Sequence, residues 1–146
     1  MKPKKSVFIG LDTSGSMSNE DIRQCFGEVD QMWRTGVEVW VGECDAHLDR
    51  KNDVWEYKGT YPKTRGGLSG GGGTSVKPLI EYVNDNPHKY SCFIYLTDGY
   101  MSDPGIESKM FMMTVLTMSG TDPKELQERK QFGYVIKMKE DEFHED

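Results

Sequence analysis

Five oxygen-bearing side chains stand in three separated segments of the chain and could together bind one divalent cation. They are Asp12, Ser14 and Ser16 in FIGLDTSGSM, Thr74 in GGGGTS, and Asp98 in FIYLTDGY. Hard cations such as Mg²⁺ take oxygen ligands in near-octahedral geometry and usually keep several waters. This donor set therefore predicts a cation site, with Mg²⁺ as the expected ion and Mn²⁺ or Ca²⁺ as alternatives.

The predicted secondary structure brings these segments to one edge of a sheet. Residues 6–11 and 91–97 are short apolar runs that predict buried strands, and an aspartate of the donor set follows each of them. Thr74 ends a glycine-rich loop that leads into a helix predicted at about 76–83. Open α/β sheets bind ligands in loops at the carboxyl ends of their strands, so the three segments are expected to converge.

The rest of the chain predicts further strands and helices. Ser16 or Ser18 offers a helix N-cap, apolar residues then recur at helical spacing to about Arg34, and Gly36 ends that helix. Strands are predicted at 37–45, 53–58, 109–118 and 132–138, the first two joined as a hairpin. The predicted fold class is α/β: a Rossmann-like, doubly wound, mainly parallel central sheet flanked by helices, with an antiparallel edge strand. Residues 1–138 would form one domain and residues 139–146 an acidic C-terminal tail.

Composition excludes several classes of function. The 146 residues fit a single domain, and a net charge of −6 gives no basic surface for nucleic acid. No run approaches the ~20 apolar residues of a membrane-spanning helix, and no signal peptide is recognisable. Cys25, Cys44 and Cys92 show no CxxC spacing, so neither a disulfide framework nor a zinc site is indicated. These features predict a cytoplasmic protein with reduced cysteines.

The three segments together resemble the metal-ion-dependent adhesion site (MIDAS) of von Willebrand factor A (VWA) domains. LDTSGSMSNEDI, VEVWVGECDA, GGGGTS, IYLTDGY and FGYVIKM look like the VWA-like domain of bacterial proteins that carry a predicted metallopeptidase-like domain in front. The resemblance covers roughly residues 7–138 and implies a VWA fold. No HExxH stands in this chain, so a peptidase function is not carried over.

The resemblance also implies a role for each residue of the donor set. Ser14 and Ser16 would coordinate the metal through their hydroxyls, and Thr74 would join directly or through water. Asp12 and Asp98 would mostly hydrogen-bond the waters and the serines. One coordination position would stay open for a carboxylate of a partner protein, and a metal with few anionic ligands keeps its electrophilicity for such a group. The implied partner class is a MoxR-type AAA ATPase. No catalysis is expected.

Two other functions are open at this point. One is a Mg²⁺-dependent hydrolase or phosphotransferase with Asp12 as nucleophile; the other is a structural interaction module without metal. The GxSxG pattern around Ser69 lacks a preceding strand and is interpreted as loop. Glu43 and Asp45 are interpreted as solvated strand-end acids rather than as an extension of the site. The methionines of 110–118 are interpreted as core packing.

Overall fold

A six-stranded sheet organises the chain, which the computed structural model describes over residues 5–61 and 74–139. Its strand order is β3-β2-β1-β4-β5-β6, and β3 alone runs antiparallel to its neighbour. This arrangement confirms the predicted α/β fold class with its antiparallel edge strand. The strands are β1 (Ser6–Asp12), β2 (Glu38–Cys44), β3 (Val54–Tyr57), β4 (Cys92–Thr97), β5 (Met112–Leu116) and β6 (Tyr134–Lys137).

Three helices and a 3₁₀ turn connect the described strands. They are α1 (Asn19–Arg34), α2 (Lys77–Asp85), α3 (Pro123–Gln127) and the turn Lys130–Phe132. A capping box starts α1, because the Ser18 hydroxyl accepts from the backbone of Asp21 and the Asp21 carboxylate accepts from the backbone of Ser18, each at 3.0 Å. Gly36, with φ of 97°, follows the last turn and allows the chain to reverse into β2.

The two faces of the sheet carry separate apolar clusters. Helix α1 packs Cys25 and Val29 onto one face, and α2 packs Leu79, Ile80 and Val83 onto the other. Alternation along each strand divides its side chains between these clusters. On the α1 face lie Val7, Ile9, Leu11, Val39, Val41, Ile94, Leu96 and Val115, and on the α2 face lie Phe8, Phe93, Tyr95, Met112 and Leu116.

Two glycines paired across β1 and β2 open a hollow in the α2 face. Gly10 and Gly42 are register partners in the parallel pair. A Cβ on Gly42 would lie 2.4 Å from Cζ of Phe8, and a Cβ on Gly10 would lie 2.8 Å from Cδ1 of Leu79. The Phe8 ring and the Leu79 side chain therefore occupy space that any larger residue would take, which explains why glycine is required inside two buried strands.

The bounds of β5 and β6 differ from the prediction. β5 covers Met112–Leu116, shorter than the predicted 109–118, and Phe132 belongs to the 3₁₀ turn instead of the last strand. Gly133, with φ of 65°, interrupts the extended backbone between that turn and β6, so the strand cannot begin earlier. Met118 is 39% exposed, so the prediction that the methionines all pack in the core is wrong at that position.

The outer edge of β6 is occupied by a side chain of α3. The Gln127 amide oxygen accepts from the backbone N–H of Val135 at 2.8 Å, and its nitrogen donates to the carbonyl of Gly133 at 3.1 Å. Two backbone groups that face away from β5 are thereby satisfied. The short α3 was not predicted from the sequence, although Asp122 as N-cap and Pro123 in the first turn are helix-start signals.

Within residues 5–61 and 74–139, no helix is long and apolar enough to cross a membrane.

Candidate metal centre

The loop after β1 holds three of the five predicted site residues together. Asp12 is fully buried, and its Oδ1 accepts from the backbone N–H of Ser14 at 2.9 Å. The hydroxyls of Ser14 and Ser16 lie 3.2 Å apart. A turn bond from Met17 N to the Ser14 carbonyl at 3.1 Å closes the loop. The two serine hydroxyls therefore lie side by side in a loop that is anchored on the buried Asp12 carboxylate.

The end of β4 joins this loop through a buried threonine. β1 and β4 are parallel neighbours, so their carboxyl ends lie side by side. The Thr97 hydroxyl donates to Asp12 Oδ2 at 2.6 Å and accepts from the backbone N–H of Gly99 at 3.0 Å. Asp98 is 2% exposed and accepts from the backbone N–H of Tyr100 at 3.1 Å. Asp12 and Asp98 thus meet at one edge of the sheet, as predicted.

Thr74 lies on the other side of β1, near the end of β2. The backbone N–H of Ser75 donates to the Asp45 carbonyl at 2.8 Å, and that of Thr13 donates to the Cys44 carbonyl at 3.0 Å. The end of β2 therefore bridges the Thr74 segment and the β1 loop. A direct contact of the Thr74 side chain with the serines stays a prediction. The glycine loop with Ser69 lies outside the described residues.

Burial sets the electrostatics of the site. It raises the pKa of Asp12 above its usual value, while hydrogen bonds from Thr97 and Ser14 act in the opposite direction and the charge of Asp98 adds a smaller upward contribution. Burial also raises the pKa of the Cys44 thiol to about 12, so Cys44 stays protonated and is no candidate for a thiolate ligand. A cation bound at this edge would relieve the cost of the buried Asp12 charge.

Asp12→Asn is expected to stabilise the cation-free protein at neutral pH. A raised pKa in the folded state means that ionisation of Asp12 costs more there than in the unfolded chain. This cost is absent in acid, where both states are protonated, and grows as pH rises from the unfolded value of 3.8 through the raised folded value. The asparagine removes the charge and keeps an oxygen for Ser14 N–H.

Thermal melting in chelator from acid to neutral pH measures this effect. The advantage of the variant should widen with pH, and Asp85→Asn, at an exposed carboxylate paired with Arg50, serves as control. An advantage that shrinks as pH rises would contradict the expectation, since it would mean that the charged form is the one that the fold favours.

The donor chemistry determines which ion the site could hold. Among the described residues, no group of three or more His, Cys, Asp or Glu side chains is arranged to hold a metal. A cation at this edge would thus depend on the hydroxyls of Ser14 and Ser16 beside the two carboxylates. Such an all-oxygen set with little negative charge fits Mg²⁺ with retained waters.

Three residues at this edge of the sheet were missed or misread in the sequence. Thr97 stands in the segment FIYLTDGY, but its hydrogen bond to Asp12 depends on the pairing of β1 with β4 and has no local signal. Glu43 is 5% exposed and accepts from the indole N–H of Trp55 at 2.7 Å, so its interpretation as a solvated strand-end acid is wrong. Asp45 is partly buried and accepts from the backbone of His47 at 3.0 Å, which makes it a turn residue.

The strand order, the helices on both faces and the loops at the carboxyl edge are those of a VWA-like α/β domain. The chain belongs to the VWA-like domain family DUF2201, whose model matches residues 7–139. It is also similar in fold to proximal thread matrix protein 1 from the mussel byssus, with a TM-score of 0.59 and 15% sequence identity. That alignment covers 92% of this chain and 43% of the mussel protein, and at this identity it shows the fold alone. A search of curated proteins finds no match.

Proposed function

We propose that this chain is a divalent-metal-dependent protein-binding module that docks an acidic residue of a partner through a MIDAS-type site. The observation that carries the proposal is the continuous hydrogen-bonded chain from Thr97 through Asp12 and Ser14 to Ser16. It holds two adjacent hydroxyls and a buried carboxylate together at the sheet edge where ligands bind in open α/β folds. Membership of the VWA-like family supports the same function.

Each residue has a distinct role in the proposed site. Ser14 and Ser16 would ligate Mg²⁺ through their hydroxyls, and Thr74 would join directly or through water. Asp12 and Asp98 would orient ligands and waters, because Asp12 already uses both oxygens to accept hydrogen bonds. The bound ion would supply an electrophilic position for a partner carboxylate.

The surroundings of Asp12 favour binding over nucleophilic catalysis. A nucleophilic carboxylate must present a free oxygen to the reacting atom. Asp12 is fully buried and holds Ser14 N–H with one oxygen and the Thr97 hydroxyl with the other. The hydrolase or phosphotransferase alternative would need this network to open before each reaction.

Carboxylate docking can be tested without a known partner. In amide NMR spectra, acetyl-glutamate amide is expected to shift the signals of Ser14, Ser16 and Gly99 when Mg²⁺ is present, because its carboxylate fills the open position on the ion. Acetyl-glutamine amide is the matched control, since it has nearly the same shape without the charge.

Shifts that need both Mg²⁺ and the carboxylate would support the proposal. Equal shifts with both amides, or shifts that persist in chelator, would contradict it. The more specific partner class, a MoxR-type AAA ATPase, rests on the resemblance alone and stays a prediction.

A further inference from the structure

Tyr95 lies directly beneath the proposed metal centre. It stands on β4 two residues before Thr97, and alternation along the strand places both side chains on the α2 face. Its register partner on β1 is Gly10, and the Tyr95 ring lies over that glycine, with Cδ1 3.2 Å from the position of an added Cβ. The absence of a side chain at residue 10 gives the ring this place, two residues before Asp12.

The hydroxyl of Tyr95 is buried without a hydrogen-bond partner among the described residues. The side chain is 0% exposed, so bulk water cannot satisfy the group. Burial raises the pKa of Tyr95 well above its usual range, and the charge of Asp12 raises it further. An unpaired hydroxyl in such a position is unfavourable, and native proteins rarely retain one without a reason.

Thr97, two residues further along β4 on the same face, offers a complementary position. Its hydroxyl uses its proton on Asp12 and one lone pair on the Gly99 N–H, which leaves one acceptor position. The Thr97 hydroxyl lowers the pKa of Tyr95, against the larger upward effect of burial, and the Tyr95 hydroxyl has no hydrogen-bond partner among the described residues. One unused donor, on Tyr95, and one unused acceptor position, on Thr97, therefore lie on the same face of β4.

We propose that Tyr95 is a positioning residue of the metal centre, whose hydroxyl donates to Thr97 Oγ1 in the cation-bound state and so completes the chain Tyr95–Thr97–Asp12. This inference rests on the proposed function. Because the hydroxyl has no partner among the described residues, a hydrogen bond that forms only together with the cation would favour the bound state alone. Tyr95 would thus strengthen cation binding without touching the ion.

Tyr95→Phe removes the hydroxyl and keeps the ring. We expect the variant to bind Mn²⁺ about threefold to tenfold more weakly in calorimetric titration, the value of one net hydrogen bond. Its melting temperature in chelator should equal or exceed that of wild type, because the substitution removes a buried group that has no partner. Wild type should also give a tyrosine difference-absorption signal on Mn²⁺ addition that the variant lacks.

Tyr90→Phe is the matched control. The Tyr90 hydroxyl is hydrogen-bonded to that of Tyr82 at 2.7 Å, and Tyr90 precedes β4 at the opposite end of the sheet. This variant should lose thermal stability and keep its Mn²⁺ affinity, which is the reverse of the result expected at Tyr95.

The outcomes separate the inference from the function on which it rests. If wild type and Tyr95→Phe bind Mn²⁺ equally, the role of Tyr95 is overturned and the metal site stands. If Tyr95→Phe lowers the melting temperature in chelator with no change in affinity, the hydroxyl is merely structural and the inference fails. If wild type binds no Mn²⁺, both proposals fail.

Discussion

The Ser14→Ala/Ser16→Ala variant is expected to bind Mg²⁺ and Mn²⁺ at least about 100-fold more weakly than the wild-type chain. Loss of a group that only orients a ligand typically costs 10–100-fold in metal affinity, and here two proposed ligands are lost together. Their hydroxyls lie 3.2 Å apart. The hydrogen bond from Ser14 to Asp12 uses the backbone N–H, so the substitution leaves it in place. Calorimetric titration of chelated protein measures the loss.

The control is a Ser6→Ala/Ser91→Ala variant. This variant also loses two serine hydroxyls, but Ser6 and Ser91 lie at the amino ends of β1 and β4, away from the site. Its Mn²⁺ affinity should match that of wild type. Equal binding by the Ser14→Ala/Ser16→Ala variant and wild type would show that the hydroxyls are not ligands and would remove the basis of the proposed site.

Phe8→Ala is expected to lower the free energy of unfolding by about 3–5 kcal/mol, the usual cost of deleting a fully buried aromatic ring. The ring is 0% exposed and its centroid lies 5.1 Å from that of Tyr82, 5.0 Å from that of Tyr90 and 5.6 Å from that of Phe93. Urea unfolding measures the change. Phe111→Ala, at a side chain that is 58% exposed, should stay within about 0.5 kcal/mol of wild type.

The contact between Phe8 and Gly42 adds a sharper test. Gly42→Ala alone should cost about 1–3 kcal/mol, because its Cβ would lie 2.4 Å from Cζ of a ring that its neighbours hold in place. In the Phe8→Ala background the ring is gone and the same methyl group fills vacated space. The double variant should therefore lose less stability than the two single losses added together. Additive losses would contradict the hollow described between β1 and β2.

Much of the fold was predictable because its signals are local. Apolar runs of strand length, a capped helix and a glycine after its last turn identified β1, α1 and β4 within one or two residues. The helix α3 was missed because five residues are too few for a recognisable apolar period. The hollow at Gly10 and Gly42 could not be predicted, since it depends on which residue of β2 lies beside which residue of β1.

The residues of the candidate site were predictable, but the contacts between its strands were not. Position after a buried strand was enough to bring Asp12 and Asp98 to one edge, and the Asp-x-Ser-x-Ser spacing was enough to add Ser14 and Ser16. The parts that escaped prediction are contacts across strands. Thr97 reaches Asp12 from the neighbouring strand, and Tyr95 occupies the space over Gly10, and neither relation leaves a pattern in the sequence around it.

The side chain of Gln127 on the outer edge of β6 affects the self-association of the protein. An open edge strand offers unpaired backbone groups on which another chain can add a strand, the first step of aggregation by sheet extension. Here Gln127 already satisfies the N–H of Val135 and the carbonyl of Gly133, so an incoming strand would first have to displace it. β6 also exposes Tyr134 and Ile136, two apolar side chains against which another strand could pack. One glutamine from a five-residue helix thus protects this edge of the sheet from the addition of another strand.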